Sequence, residues 1–453
     1  MYSELINKVN NRRNQIRELA KNNNVLIGSD EKYIKSIKKI LIIVSASRSG
    51  SSLTFDLIKR YPSIISTSGE AVPFYKLSTL SSDEQLSDEI CESELSEQKK
   101  MTFFKELSED ICNYKIINDE NSTSLIKSYS YRLALRFIIQ WPLIEFDCKE
   151  LLETISKVLY SNIDNNNFDK DIIVLNVILE LRKKYPEINP YYYDIPKAKI
   201  ENICKHIEKP IGPPNSSILI EEPPFIVIDP VNYINPNKFN DCFLLMKEPV
   251  TSYRLKMIKK LFNTAEFYWI HLIRNPAACI NGLIDGWLDR GFFSTNIFNC
   301  TDRKVKKLNI KGYSEVGEWS GNWWNFDRPP GWQNLINKSL YEVCAFQWAV
   351  NNREIIEGLE KEKNKIIIKY EDILLSDKRR NVFNKIEKFI GSPVKLSNIM
   401  DINNLPIIQS TKKPKMYRWR DREEQILNVI NASEINSIAD KLGYKKDSME
   451  EWL

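Results

Sequence analysis

Histidine is nearly missing from this chain: His206 and His271 are the only two in 453 residues. A histidine-built metal centre and a Ser-His-Asp triad are both poorly supplied. The eight cysteines, Cys91, Cys112, Cys148, Cys204, Cys242, Cys279, Cys300 and Cys344, are scattered without a C-x-x-C pair. That argues against structural zinc and for free thiols in a reducing cytoplasm. No apolar run approaches the roughly 20 residues of a membrane span. The opening stretch, MYSELINKVNNRRNQIREL, has no apolar core or small-residue cleavage site and does not read as a signal peptide. Neither charge sign dominates: 65 basic against 60 acidic residues leave +5, too weak an excess to predict nucleic-acid binding. The expectation is a cytoplasmic protein that binds no metal, nucleic acid or membrane.

What is present is the composition of a soluble globular protein, 42% hydrophobic and 28% charged, long enough for one large core or two smaller ones. Residues 1–38 read as a helical N-terminal extension and 39–453 as an α/β domain with a largely helical insertion at 84–215. Within the insertion, SLIKSYSYRLALRFIIQ, KELLETISKVLYSNI and DIIVLNVILELRKKY carry helical apolar spacing between Asn-, Asp- and Pro-rich turns. From about residue 240, strand and helix patterns alternate: CFLLMKEP, SYRLKMIKKLF, EFYWIHLIRNP, AACINGLIDGWL, then a long helix before KIIIKY. Such alternation predicts a P-loop-like parallel sheet wrapped by helices, with ligands at the carboxyl ends of the strands.

The first β-α unit carries the strongest local signal. Ile40 to Val44 empties into Ser45-Ala46-Ser47-Arg48-Ser49-Gly50-Ser51-Ser52, and an amphipathic helix follows. Strand, small-residue loop and helix N-terminus together form an anion cradle of backbone N–H groups. The frame is that of a Walker A loop, yet Ser51 stands where the lysine would be. An ordinary β-α turn is the plain alternative; Arg48, a permanent forked cation inside the loop, tips the balance towards anion binding. Two later strands end in Lys247-Glu248-Pro249 and Arg274-Asn275-Pro276. If all three strands share one sheet, Arg48, Lys247 and Arg274 converge on a ligand with several separated anionic groups.

These residues resemble the sulfotransferases that use 3′-phosphoadenosine 5′-phosphosulfate, in motif style the tyrosylprotein-type and bacterial ones. RSGSSLTFDLIKRYPSI is similar to their 5′-phosphosulfate loop, LIRNPAACINGL to their 3′-phosphate motif, MKEP to their Lys-x-Pro strand end, and KIIIKYEDIL, with Tyr370, to their late Tyr-Glu-Asp strand. The resemblance implies that Arg48, Ser49, Gly50, Ser51 and Ser52 hold the 5′ side of the donor. It implies Arg274 on the 3′ phosphate, Arg48 and Lys247 on the transferring group, and no metal. The family has a serine eight residues after that arginine; here the position is Gly282, beside Asn281.

A general base is still needed. His271 reads as a packed strand residue and His206 as exposed. Glu70, after Gly69, matches in type the glutamate that tyrosylprotein and related bacterial enzymes place in this region, a surface carboxylate being the alternative. In QSTKKPKMYRWRDREE, the resemblance makes Ser410, Lys415 and Arg418 candidates for a loop closing over the donor, against a solvated basic loop. EWSGNWWNFDRPPGWQN, with Trp323, Trp324, Phe326 and Trp332, suits a rigid wall of an acceptor pocket, as do Trp287 and Arg290; a loop pinned to the core by its tryptophans is the alternative. The leading expectation is sulfuryl transfer to a hydroxyl of a small or medium acceptor. A P-loop nucleoside or metabolite kinase and a non-catalytic nucleotide-binding scaffold are the alternatives.

Overall fold

The apolar run Lys39–Val44 forms strand β1 at the centre of a five-stranded sheet, and every residue from Ile40 to Val44 is buried. A computed structural model of the chain describes residues 2–28, 34–111, 122–163, 169–214, 217–230, 240–289, 292–300, 305–412 and 414–452. The other strands of the sheet are β2 (Ile64–Ser66), β3 (Phe243–Lys247), β4 (Glu266–Ile273) and, after a small hairpin, β7 (Lys365–Lys369). The hairpin pairs β5 (Thr295–Asn296) with β6 (Trp323–Trp324) antiparallel. The large sheet runs in the order β2-β3-β1-β4-β7, and each pairing is parallel.

Burial on both faces explains why β1 is a continuous apolar run rather than an alternating one. Ile40, Ile42 and Val44 pack with Leu244, Met246 and Trp269 on one face. Leu41 and Ile43 pack with Leu57, Phe383 and Ile386 on the other. Register then decides what meets at the carboxyl edge: Ile43 lies beside Lys247 and Val44 beside His271. The loop after β1, the end of β3 and the turn after β4 therefore leave the sheet side by side.

The helical region contains Glu97–Asp110, Ser122–Gln140, Cys148–Ile163, Lys170–Arg182 and Lys197–Ile203. The N-terminal helix, Tyr2–Asn22, is not a free-standing extension in space. Tyr2, Leu5, Ile6, Val9, Ile16 and Ala20 join the same apolar cluster as Phe137, Ile138 and Leu151. Two of its charges also turn inward: Arg17 meets Glu106 at 2.7 Å and Glu109 at 2.6 Å, and the buried Arg13 joins Glu106. Burial pulls the Glu106 carboxyl up, but Arg13 and Arg17 outweigh it and hold the group below its ordinary value of 4.5. Among the described residues no helix is long and apolar enough to cross a membrane.

A depressed carboxyl contributes stability above its unfolded pKa and loses it as pH falls through the folded one. Glu106→Gln is expected to cost about 3 kcal/mol in urea unfolding at pH 7, because it strands buried arginine charge. The deficit should shrink as pH is lowered below about 4.5.

Candidate active site

The loop after β1 turns on two left-handed residues, Arg48 at φ 66° and Gly50 at φ 88°. Gly50 is required twice over, since a Cβ there would lie 2.1 Å from the Tyr370 ring. It caps the helix Ser51–Ile58, whose first N–H groups, on Ser51, Ser52 and Leu53, have no helical carbonyl to bond. These residues, with Arg48, Lys247 and Arg274, line one cavity of about 480 Å³. Ser49 points elsewhere: its hydroxyl meets the Cys279 thiol at 3.5 Å and its N–H donates to the Ala46 carbonyl at 3.3 Å. Of the loop serines named from the sequence, Ser51 and Ser52 line the cavity and Ser49 does not.

Arg274 leaves β4 to stack over the Tyr370 ring at 5.2 Å and donate from Nη1 to the Arg48 carbonyl at 2.9 Å. The next residue, Asn275, caps the helix Pro276–Trp287 by accepting the Ala278 N–H at 2.7 Å. Its own N–H and side-chain amide both donate to Glu371 Oε1 at 2.8 Å, and Tyr444 donates to Oε2. Glu371 thereby ties the turn after β4 to the turn after β7. Its place next to Tyr370 in YED was visible in the sequence; its partner, about a hundred residues earlier, was not.

Lys247 is buried, and its Nζ donates to Glu70 Oε1 at 2.6 Å and Ser52 Oγ at 3.1 Å. Ser52 in turn donates to the Gln409 side chain. Arg48 donates to the Gln409 carbonyl at 2.9 Å and the Thr411 hydroxyl at 3.3 Å. Burial first and Arg274 second pull the Arg48 guanidinium down to about 10, so it stays cationic at neutral pH.

The basic C-terminal loop lies against this wall, with Gln409, Ser410, Lys412, Lys415 and Arg418 all lining the cavity. Ser410 donates to the Lys412 carbonyl. One buried carboxylate, Asp285, anchors the loop: Lys412 at 3.0 Å, Arg418 at 2.7 Å and Arg422 at 3.0 Å. Burial pulls Asp285 up, and those three cations hold it down on balance. On either side of Asp285 the helix carries Gly282 and Gly286, one turn apart. A Cβ at Gly282 would come within 3.2 Å of the Arg48 Cβ, and one at Gly286 within 2.2 Å of the Phe326 ring. The position where the resembling family has serine is here the groove that seats Arg48.

The aromatic segment divides. Phe326 lines the cavity, but Trp287, Trp323, Trp324 and Trp332 are buried in the core and do not. Trp287 and Trp324 meet edge to face at 5.1 Å, and Trp324 and Trp332 meet tilted at 4.9 Å. Their indole N–H groups are satisfied by Gln347, the Asp327 carbonyl and the Leu86 carbonyl respectively. The tryptophans pin the loop, and two of the residues between them, Phe326 and Asp327, line the cleft. Arg290 lies outside the described residues. His271 is buried beside Asn352 and lowered to about 4 by burial, hence neutral; His206 is exposed.

The residue that sequence reasoning passed over is Asp327. It lines the cavity, is 3% exposed, and accepts from Ser47 Oγ at 3.0 Å and Tyr253 OH at 2.7 Å. Burial pushes its carboxyl up to about 6. The signal available was a lone carboxylate among tryptophans and prolines. Among the described residues, no group of three or more His, Cys, Asp or Glu is arranged to hold a metal.

No family model and no curated protein matches this chain. Two solved structures are similar to it. The sulfotransferase domain from the curacin biosynthetic pathway has 13% identity and a TM-score of 0.36 over 90% of this chain and 99% of that one. The sulfotransferase domain from the Synechococcus PCC 7002 olefin synthase has 12% identity and a TM-score of 0.36 over 90% and 96%. Likeness at this level carries no weight for activity, which has to be judged from the site itself.

Gly50→Ala is expected to destabilise the fold by about 3 kcal/mol in denaturant unfolding, from overpacking against Tyr370 and the left-handed backbone together. Asp285→Asn removes the anchor of the basic loop. Limited trypsin digestion should then cut at Lys412 or Lys415 roughly tenfold faster, with the rest of the chain protected as before.

Proposed function

We propose that this chain transfers a sulfuryl group from 3′-phosphoadenosine 5′-phosphosulfate to a hydroxyl of a small or medium acceptor, by direct in-line displacement. The observation that carries the reading is the meeting of Arg48, Lys247 and Arg274 with the N-terminus of the helix Ser51–Ile58 around one cavity. The donor has anionic groups at two separated places, and the cavity has cations on three separate strand ends. Ser51, Ser52 and Leu53 offer N–H groups with no helical partner, which fits the 5′ phosphosulfate. Arg274, held over the Tyr370 ring, supplies a forked guanidinium of the kind that suits the 3′ phosphate.

In the transfer, the acceptor oxygen forms a bond to sulfur as the bond from sulfur to the bridging 5′-phosphate oxygen breaks. That oxygen leaves with the electron pair. Arg48 and Lys247 neutralise the charge gathering there, inside a cleft that has replaced water by fixed dipoles. The acceptor proton passes to a carboxylate of the cavity, for which Glu70 was the candidate from sequence. A cytoplasmic setting suits the seven described cysteines, which are all free.

A nucleoside or metabolite kinase is disfavoured by Ser51 in the lysine position. A non-catalytic scaffold drew its support from Gly282, and the packing of Arg48 there gives that glycine a reason of its own.

Titration calorimetry with adenosine 3′,5′-bisphosphate should show binding that Arg274→Ala weakens roughly 10- to 100-fold, the worth of charge-assisted hydrogen bonds to one phosphate. ATP binding tighter than the bisphosphate, or no bisphosphate binding, would sink the proposal.

A further inference from the structure

Among the described residues five carboxylates line the cavity, and four of them sit in ion pairs: Glu70 with Lys247, Asp88 with Arg328, Glu221 with Arg136 and Glu222 with Lys76. Glu70 is in a contact ion pair with Lys247 at 2.6 Å. Its charge is already committed to the cation that the transferring group needs, and a proton placed on it would strip Lys247 of its partner. Asp327 forms no ion pair among the described residues. The adjacent Arg328 turns away, its guanidinium 3.7 Å from Asp88. Asp327 receives neutral donors, the hydroxyls of Ser47 and Tyr253 and its own backbone N–H, and Ser47 is the residue before Arg48 in the anion loop. The carboxylate is thus tied to the loop that faces the sulfuryl group.

Its backbone is held firmly. Trp324 Nε1 and Gln347 Nε2 both donate to the Asp327 carbonyl, at 2.9 and 2.8 Å. Phe326, just before it, is in the left-handed region at φ 59°, with its N–H on Ser294 Oγ at 3.0 Å. A bulky residue adopts that backbone only when its neighbours impose it, and such strain collects at functional sites. Here the strain turns Phe326 over Gly286 and leaves the next side chain in the cavity wall.

We infer that Asp327, and not Glu70, is the general base that takes the acceptor proton, with Ser47 and Tyr253 as its positioning residues. The inference rests on the sulfuryl-transfer reading. As the acceptor oxygen bonds to sulfur, its hydrogen passes to an Asp327 carboxylate oxygen, and the 5′-phosphate oxygen leaves with the S–O electron pair. Glu70 keeps Lys247 in place. Other titratable groups around Asp327 are Tyr253, Asp88, Cys279 and Cys344; Asp88 adds to the upward push of burial, while burial raises Cys279 and Cys344 and keeps them neutral. A base that is ionised just below neutral pH matches its task.

The test uses water as the acceptor, so that no other acceptor has to be identified: hydrolysis of 3′-phosphoadenosine 5′-phosphosulfate to the bisphosphate and sulfate by the full chain. The native rate should rise with pH through an apparent pKa of about 6. Asp327→Asn should lower the rate roughly 100-fold or more and abolish that limb. Bisphosphate affinity should stay within about threefold. The raised carboxyl contributes stability at low pH that is lost as pH rises through about 6, so Asn should not lower Tm at pH 7.5. Ser47→Ala, which removes one donor to the carboxylate, should move the limb to higher pH; this variant decides the matter should Asp327→Asn fail to fold. An unchanged rate in Asp327→Asn, a limb that survives there, a limb that Ser47→Ala leaves in place, or no hydrolysis by a chain that binds the bisphosphate would each overturn the role of Asp327. Absence of bisphosphate binding by the native chain would instead overturn the donor reading itself.

Discussion

The site depends on one stack of contacts at the carboxyl edge of the sheet. Tyr370, after β7, lies close against Gly50 of the first loop; Arg274, after β4, lies over the same ring and holds the Arg48 carbonyl. Three chain segments more than two hundred residues apart at their extremes are locked by one aromatic ring and one hydrogen bond. The parallel register makes this possible, because it brings the ends of β1, β4 and β7 out at the same edge. Without a side chain at Gly50 the loop approaches the ring; with any side chain it is pushed off. That closeness sets Arg274 near enough to Arg48 to disfavour the charge on Arg48. Such a pair is costly while the cavity holds no anion, and it is the kind of cost that binding an anion relieves.

The charges are sorted rather than simply accumulated. Among the described residues Arg48 has no carboxylate contact: its donors rest on a carbonyl and a hydroxyl of the C-terminal loop. Lys412, Arg418 and Arg422 do, and all three share Asp285. A buried carboxylate with three cations around it is a structural anchor, whereas a guanidinium resting on neutral acceptors keeps its charge for a ligand. Since Asp285 lies between Gly282 and Gly286, one helical turn seats Arg48, anchors the loop above it and admits Phe326. The sequence INGLIDGW compresses that arrangement into eight residues.

How much of this was legible in the sequence divides along the same line. Strands with apolar runs and polar exits are local features, so the parallel α/β sheet and the three cations at strand ends could be read from residue order. Pairing between distant segments could not. Ser49 sits in the loop motif, yet its direction is set by Cys279, 230 residues away. Trp287, Trp323, Trp324 and Trp332 read as a pocket wall because aromatics with Pro-Pro-Gly resist regular structure; the fold uses that same rigidity to anchor the loop in the core. The N-terminal helix looked like a charged extension because Arg13 and Arg17 read as exposed charges, and their partners Glu106 and Glu109 come from a helix about ninety residues later. Gly282 looked like a lost contact until Arg48 was seen to fill the space.

Asp327 shows why the least expected residue carries the most chemical information. A carboxylate in an ion pair is comfortable, and its surroundings account for it fully. One that is buried, receives neutral donors in place of a cation and follows a residue with strained backbone is uncomfortable on three independent counts. Folding optimises away such positions unless something else holds them, and here the tryptophans do: Trp324 binds the Asp327 carbonyl directly, and Trp332 and Trp287 pack around Trp324. The aromatic density that first suggested an acceptor surface is better understood as the support that keeps an unpaired carboxylate facing the cavity. Phe326, the one aromatic of that set turned towards the cleft, owes its direction to the same strained turn. The core's rigidity and the site's chemistry are therefore one feature: the tryptophans hold Asp327 where a solvated loop would let it turn to water.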